Sequence, residues 1–239
     1  MRLITLGEID STNRYLRALA EDGAEAGTLA LAERQTNGRG RLDRRFESPS
    51  GGLYMSLLLR PDADFADPNL LTVMAAVAAA EAIEAAVPTL SVGIKWVNDL
   101  YLGERKLAGI LTEGAFAPDG RLDYAIVGIG VNLRDRVLTP SLAEIATSIE
   151  AHAGMIPDRI ALAESIAESM LAYLADPREV IEKYRARQIL LGRRVRCFEG
   201  KREYTARAID VDEAGGLVVS RFGKKRTLRF GEVSVRIRR

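Results

Sequence analysis

Residues 91–132, SVGIKWVNDLYLGERKLAGILTEGAFAPDGRLDYAIVGIGVN, decide the fold by the way they divide. The apolar runs 91–102 and 106–113 are separated by Gly103-Glu104-Arg105, a hairpin signature, because turn residues let the chain reverse between strands. After Asp119-Gly120, the run 124–132 reads as a further strand. Just upstream, residues 70–87 (LLTVMAAVAAAEAIEAAV) are long and Ala-rich enough for a mostly buried helix, stopped by Pro88. Helix and strands in this order predict an α+β core, a mixed sheet with packed helices.

Outward from that core, Ser11-Thr12-Asn13 precedes Tyr15, Leu16 and Leu19 at helical spacing. Short polar side chains accept orphan N–H groups, so a capped helix of about three turns is expected from near residue 13. Runs 28–33 and 52–60 read as strands, the second ended by Pro61, with a long basic loop between them. Residues 141–153 and 158–190 are helical by period, with Pro157 and Pro177 near helix starts. From about residue 191 the segments 193–198, 203–211, 217–221, 226–230 and 233–238 are short and turn-separated, which predicts a small SH3-like β-barrel.

Charge changes at the same place. Residues 1–187 carry 20 Lys and Arg against 27 Asp and Glu, and residues 188–239 carry 14 against 6, so net −7 gives way to +8. Two domains, 1–187 and 188–239, are expected. Over all 239 residues, 34 Lys and Arg balance 33 Asp and Glu, which excludes disordered, collagen-like and disulfide-scaffold classes. The lone Cys197 cannot close an internal disulfide, and with the lone His152 it cannot build a four-ligand zinc site. A cytoplasmic protein without membrane anchor is expected: the N-terminus lacks an apolar signal core, and the stretch 70–87 carries Glu81 and Glu84.

Four segments carry chemistry. Gln35-Thr-Asn-Gly-Arg-Gly-Arg41 continues into Leu42-Asp43-Arg44-Arg45, placing four arginines in residues 39–45. Glycine frees the backbone and arginine offers fixed donor forks, so a mobile phosphate-gripping loop and a solvated or nucleic-acid-binding basic loop both fit. It matches neither the P-loop nor the GxGxxG fingerprint. In Ile94-Lys95-Trp96-Val97-Asn98-Asp99, a Lys inside an apolar run needs a partner such as Asp99 or an anion, unless it lies on an edge strand facing water. Lys106 begins an apolar strand with Gly109 in its interior, a mark of close approach. In Val127-Gly-Ile-Gly-Val-Asn132 one face is bare, open to a flat ligand or to the helix around residues 75–86.

Together the types, order and spacing of these segments resemble the biotin protein ligases, which activate biotin as biotinyl-5′-AMP and pass it to a lysine of a biotin carboxyl carrier domain. The resemblance rests on Ser11-Thr12-Asn13, Gln35 with Gly38-Arg39-Gly40-Arg41, Ser48-Pro49-Ser50-Gly51-Gly52-Leu53-Tyr54, Lys95-Trp96 with Asn98-Asp99-Leu100, Lys106-Leu107-Ala108-Gly109 and Gly128-Ile129-Gly130-Val131-Asn132. It spans residues 11–132 in the family's order. Departures are Val97 where the family usually has Pro, Asp43 where it usually has Gly, and Phe46 where Trp is common. The resemblance implies a catalytic domain like that of class II aminoacyl-tRNA synthetases with an SH3-like C-terminal domain. It also implies similarity to short members lacking the N-terminal DNA-binding domain, so operator binding is not expected.

The same resemblance implies the site. Ser11, Thr12, Asn13 and Gln35 would hold biotin's neutral ureido ring, with Arg39, Gly40, Arg41 and Lys106 completing the biotin site. The nucleotide would meet Arg39, Arg41, Lys95, Asn98, Lys106 and Asn132. Two anions, a carboxylate and the ATP α-phosphate, must be brought together, so Arg39, Arg41 and Lys106 are the expected catalytic cations. Mg²⁺ would be shared by the triphosphate, and no protein metal ligand is named. Asp99 is a candidate proton acceptor for the carrier lysine, or else pairs with Lys95 or caps a turn. Walls are expected from residues 110–112 and 127–131, with Trp96 a candidate. A ligase for lipoate or a short acyl acid is the alternative within enzymes. A nucleic-acid binding module is the alternative outside them. The sequence is compatible with a homodimer through edge strands and requires none.

Overall fold

The computed structural model describes residues 1–42, 44–62, 65, 67–200, 202–229 and 233–237. Seven strands build the first sheet: β1 (Arg2–Ile9), β2 (Thr28–Gln35), β3 (Leu53–Leu59), β4 (Gly93–Lys95), β5 (Asp99–Leu102), β6 (Arg105–Phe116) and β7 (Leu122–Val131). Their order is β1-β2-β3-β7-β6-β5-β4, with β1 and β2 parallel and the other neighbours antiparallel, a mixed sheet. The strand β1 went unread in the sequence because RLITLGEI lies at a half-exposed edge and carries no continuous apolar run.

The run expected as one strand, 91–102, is two. Residues 96–98 turn between β4 and β5, and Asn98 fixes the turn from both ends: its carbonyl accepts from Ile110 N at 2.9 Å and its Nδ2 donates to Ile110 O at 2.7 Å. The Trp96–Val97 peptide is cis, and Val97 is buried.

Helix α1 (Thr12–Glu21) connects β1 to β2 and covers one face of the sheet, packing Leu16 and Ala20 on Ala30, Leu58, Tyr124 and Ile126. Ser11 is its N-cap, in extended conformation, but the Ser11 side chain makes no capping bond. The first-turn N–H of Thr12 goes instead to Gln35 Oε1 at 2.9 Å, so a strand residue performs the cap. The other face receives α2 (Leu70–Ala86), α5 (Arg159–Ala175) and α6 (Val180–Ala186). The alanine-rich middle of α2 is fully buried, which lets α5 and the sheet approach closely. No described helix is long and apolar enough to cross a membrane.

The stretch 141–153 is not one helix but α3 (Pro140–Ala143) and α4 (Ile149–Ala153). Between them the backbone pairs with Lys106: Lys106 N donates to Ile145 O at 3.0 Å and Thr147 N donates to Lys106 O at 2.8 Å. Helical periodicity loses there because a sheet edge offers the segment better partners. Likewise 158–190 divides at Asp176-Pro177 into α5 and α6.

A second, separate antiparallel sheet holds β8 (Arg194–Glu199), β9 (Arg202–Val211), β10 (Leu217–Arg221), β11 (Lys224–Leu228) and β12 (Val233–Ile237), in the order β11-β10-β9-β8-β12. The strand expected over 226–230 starts two residues earlier, and Phe230 and Arg238 lie outside the described residues, as does Asp43. Apolar packing is continuous from α2 and Trp96 through Tyr184 and Leu190 into Val195, Cys197, Ala208 and Leu217 of the second sheet. Cys197 is fully buried, and burial pushes its thiol up to about 11.

Candidate active site

One cleft of about 210 Å³ opens beside the N-terminus of α1, at the ends of β4, β5, β6 and β7 and under the 38–46 loop. It gathers Ser11, Thr12, Asn13, Gln35, Arg39, Gly40, Arg41, Lys95, Asn98, Asp99 and Lys106, with Trp96, Ile110, Leu111 and Ile129 among its walls. Asn132 does not line it. Its Nδ2 donates to Thr147 O at 3.0 Å and its N–H to Leu107 O at 3.0 Å, bonds that brace the backbone around Lys106.

The two ends of the cleft are built differently. At one end, Thr12 Oγ1 donates to Gln35 Oε1 at 3.1 Å, and the Ser56 hydroxyl bridges Thr12 Oγ1 at 2.7 Å and Asn13 Oδ1 at 2.6 Å. Asn13 Nδ2 donates to Glu113 Oε2 at 2.7 Å, and Gln35 Nε2 donates to Ser48 Oγ at 3.0 Å. Thr12, Asn13, Ser48 and Ser56 are buried, so these neutral groups, with Gln35, are held by one another at fixed positions, and Ser11 is buried beside them. Gly128 belongs to this end: a Cβ on it would stand 2.2 Å from Asn13 Oδ1. The bare strand face therefore receives α1 and the 38–46 loop. The helix α2 packs on the opposite face, against Val127, Ile129 and Val131.

At the other end, six described lining residues are cationic (Arg39, Arg41, Arg44, Arg45, Lys95 and Lys106) and one, Asp99, is anionic. Lys106 Nζ lies 2.6 Å from Asp99 Oδ1 and 5.9 Å from the centre of the Phe46 ring. Gly109 and Gly130 leave room for that ring, because a Cβ on Gly130 would meet it at 2.4 Å. Phe46, where the family commonly has Trp, thus presents an aromatic surface to Lys106. Arg41 donates to Asn98 Oδ1 at 3.2 Å, and Arg39 pairs with Glu113 Oε1 at 3.2 Å. Burial lowers the pKa of the Arg41 guanidinium, an effect that Asp99 opposes. Lys95 lies on the sheet's edge strand, its Nζ 3.4 Å from Tyr101 Oη, and burial with Asp99 raises that phenol to about 12.

The basic loop folds into a short hairpin. Gly40 N donates to Arg44 O at 2.7 Å and Phe46 N to Gly38 O at 3.0 Å, with Arg39 and Arg45 bridged across it. Gly38 is required by close approach, since a Cβ there would lie 2.4 Å from Phe46 O. Two participants went unread in the sequence, Glu113 and Ser56. For Ser56 there was a signal: it is the one serine in the fully buried strand LYMSLLL. Glu113 gave none, because its partners Asn13, Arg17 and Arg39 are far away along the chain. Among the described residues no group of three or more His, Cys, Asp or Glu side chains is placed to hold a metal ion.

Fold and cleft together define a class: an α+β protein whose cleft offers fixed neutral hydrogen-bonding groups at one end and clustered cations at the other. Residues 6–132 match the biotin/lipoate A/B protein ligase family, and the chain belongs to that family. It is similar to the bifunctional ligase/repressor BirA of Bacillus spizizenii, 40% identical over 69% of this chain and 51% of the relative. The chain thus spans about half the length of that relative. It is 30% identical to the biotin–[acetyl-CoA-carboxylase] ligase of Mycobacterium tuberculosis, over 97% of this chain and 88% of the relative. Among solved structures, the biotin protein ligase from Aquifex aeolicus in complex with biotin and ATP superposes with a TM-score of 0.85 at 30% identity, covering 99% of both chains.

Proposed function

We propose that the chain joins biotin to ATP as biotinyl-5′-AMP and transfers biotin to a lysine of a biotin carboxyl carrier domain. One observation carries the reading: a single cleft sets the neutral groups of Ser11, Thr12, Asn13 and Gln35 at one end against Arg39, Arg41 and Lys106 at the other. A ureido ring is neutral and needs fixed donors and acceptors, while the reacting carboxylate and phosphate are anions and need cations. Relatives whose names specify biotin, and a structural neighbour holding biotin and ATP, support the choice.

In the first step the biotin carboxylate oxygen attacks the α-phosphorus of MgATP, a P–O bond breaks and pyrophosphate leaves. Lys106 would neutralise the charge shared by carboxylate and phosphate, with Arg39 and Arg41 closing over it. The anhydride formed is lost to water unless covered, a use for the 38–46 hairpin. In the second step the carrier's lysine amine attacks the acyl carbon, AMP leaves with the bonding electron pair, and the amine loses a proton. Asp99 already contacts Lys106, so we assign it first to holding that ammonium. Asp99→Asn should then impair adenylation, whereas a pure proton acceptor would spare adenylation and slow transfer.

The reading also carries the finer expectations: a 1–187 catalytic unit like that of class II aminoacyl-tRNA synthetases, a 188–239 unit of SH3 type, and a cytoplasmic reaction. It requires neither a nucleic acid nor a second copy of the chain. The test is pyrophosphate exchange into MgATP with biotin, lipoate or octanoate and no carrier present. Exchange with biotin alone is expected. Exchange with lipoate or octanoate alone moves the reading to that acid, and exchange with none overturns it.

A further inference from the structure

A hydrogen bond joins the second sheet to the wall of the cleft. Trp96, a wall residue that is 4% exposed, donates its indole N–H to the carbonyl of Gly215 at 2.9 Å. A buried indole N–H without a partner is costly, so the position of that carbonyl constrains the ring.

The carbonyl sits in the 212–216 turn between β9 and β10, and Asp212 braces the turn. Its Oδ1 accepts from Ala214 N at 3.1 Å and Gly216 N at 2.8 Å, and its carboxylate pairs with Arg229 at 2.8 Å. The backbone closes the turn with Asp212 N to Gly216 O and Gly215 N to Asp212 O, both 2.9 Å. Gly215 takes φ +77 and Gly216 has no room for a Cβ, 2.6 Å from Thr227 Cγ2, so the sequence Gly-Gly suits this turn and few others would. Helix α6 holds both partners at once. Tyr184 Oη donates to Val97 O at 2.8 Å, and Arg185 donates to Val211 O at 2.8 Å while pairing with Asp210 and Glu213.

We infer that the Asp212-braced turn of the second sheet positions Trp96 as a wall of the cleft, which makes Asp212 a positioning residue for ligand bound at the cationic end. That end is the relevant one because Trp96 follows Lys95 directly and lies two residues before Asn98, which holds Arg41. The kinetic part rests on the proposed function, whereas the mechanical part does not.

Trp96 is the chain's one tryptophan, so emission of the full-length protein reports on this ring alone. Asp212→Ala should red-shift the emission, increase quenching by acrylamide, and raise KM for MgATP about fivefold with KM for biotin within about twofold. Asp212→Asn keeps an acceptor for Ala214 N and Gly216 N, and should restore both readouts. Trp96→Phe keeps a ring but loses the donor, and adding Asp212→Ala to it should change KM no further. Glu203→Ala, which breaks a pair with Arg196 elsewhere on the same sheet, controls for general destabilisation and should leave emission and KM unmoved. Asp212→Ser serves if the alanine variant does not fold. Unchanged emission in Asp212→Ala, an equal shift in Glu203→Ala, or effects that multiply in the double variant would overturn the inference. Absence of exchange with any acid in the unmodified chain would break the functional reading alone, and the emission result would still decide the link.

Discussion

The two ends of the cleft spend their polar groups in opposite ways. At the α1 end, hydroxyls and amides already satisfy one another, on a helix start and a buried strand, before any ligand arrives. At the hairpin end, cations are held by carboxylates that a substrate's own anions can replace, Lys106 by Asp99 and Arg39 by Glu113. A neutral ring gains from geometry fixed in advance, since no ordering cost falls on binding. Anions gain from charges that change partner, because the protein carboxylates keep those charges in place until then. Glu113 touches both regimes, holding Asn13 with one oxygen and Arg39 and Arg17 with the other, so it couples the two ends.

The contrast predicts unequal responses. Lys106→Ala should cost the most, about a thousandfold in kcat/KM for exchange, equivalent to roughly 4 kcal/mol of transition-state stabilisation, while the melting temperature stays near that of the parent. A loss under about tenfold would mean that Lys106 only neutralises Asp99. Gly128→Ala attacks the other end: its new Cβ meets Asn13 Oδ1 at 2.2 Å, so α1 must shift at a cost of about 2 kcal/mol, read as roughly thirtyfold weaker biotin binding by calorimetry. Ser56→Ala is milder, removing one bridging hydroxyl. About tenfold weaker biotin binding and about 1.5 kcal/mol lost in urea unfolding are expected, with KM for MgATP unchanged. Equal weakening of both substrates by Ser56→Ala would erase the distinction between the ends.

Much of this was legible in the sequence because it lies in short local patterns. Ser-Thr-Asn before a helical period, glycines flanking Arg39, and Gly alternating with Ile and Val each announce a backbone shape or a close approach. What stayed hidden depends on partners far apart along the chain. Ser56 meets Asn13 across 43 residues, and Glu113 meets it across 100. The helical period of 141–153 gave no sign that its middle would pair with Lys106, and β1 was hidden by its polar, half-exposed composition. Asn132 gives another case: it follows a strand that lines the cleft, and its Nδ2 donates to Thr147 O behind Lys106, a bracing bond that no local pattern announced.

The smallest expected effect discriminates the ends without any mutation. The Lys106–Asp99 and Arg39–Glu113 pairs are partly exposed, with side-chain accessibilities between 16% and 37%, so mobile ions reach this end. Raising ionic strength from about 0.05 to 0.5 M shortens the screening length from roughly 14 to 4 Å. That weakens both the internal pairs and the attraction for a triphosphate, but the triphosphate carries more charge and approaches several cations at once. KM for MgATP should therefore rise about three- to fivefold, while KM for biotin, whose neutral ring rests on the neutral groups around buried Ser11, Thr12 and Asn13, should move by less than about twofold. Parallel rises in the two constants would show that biotin too is held chiefly by charge, and the division of labour between the two ends of the cleft would have to be abandoned.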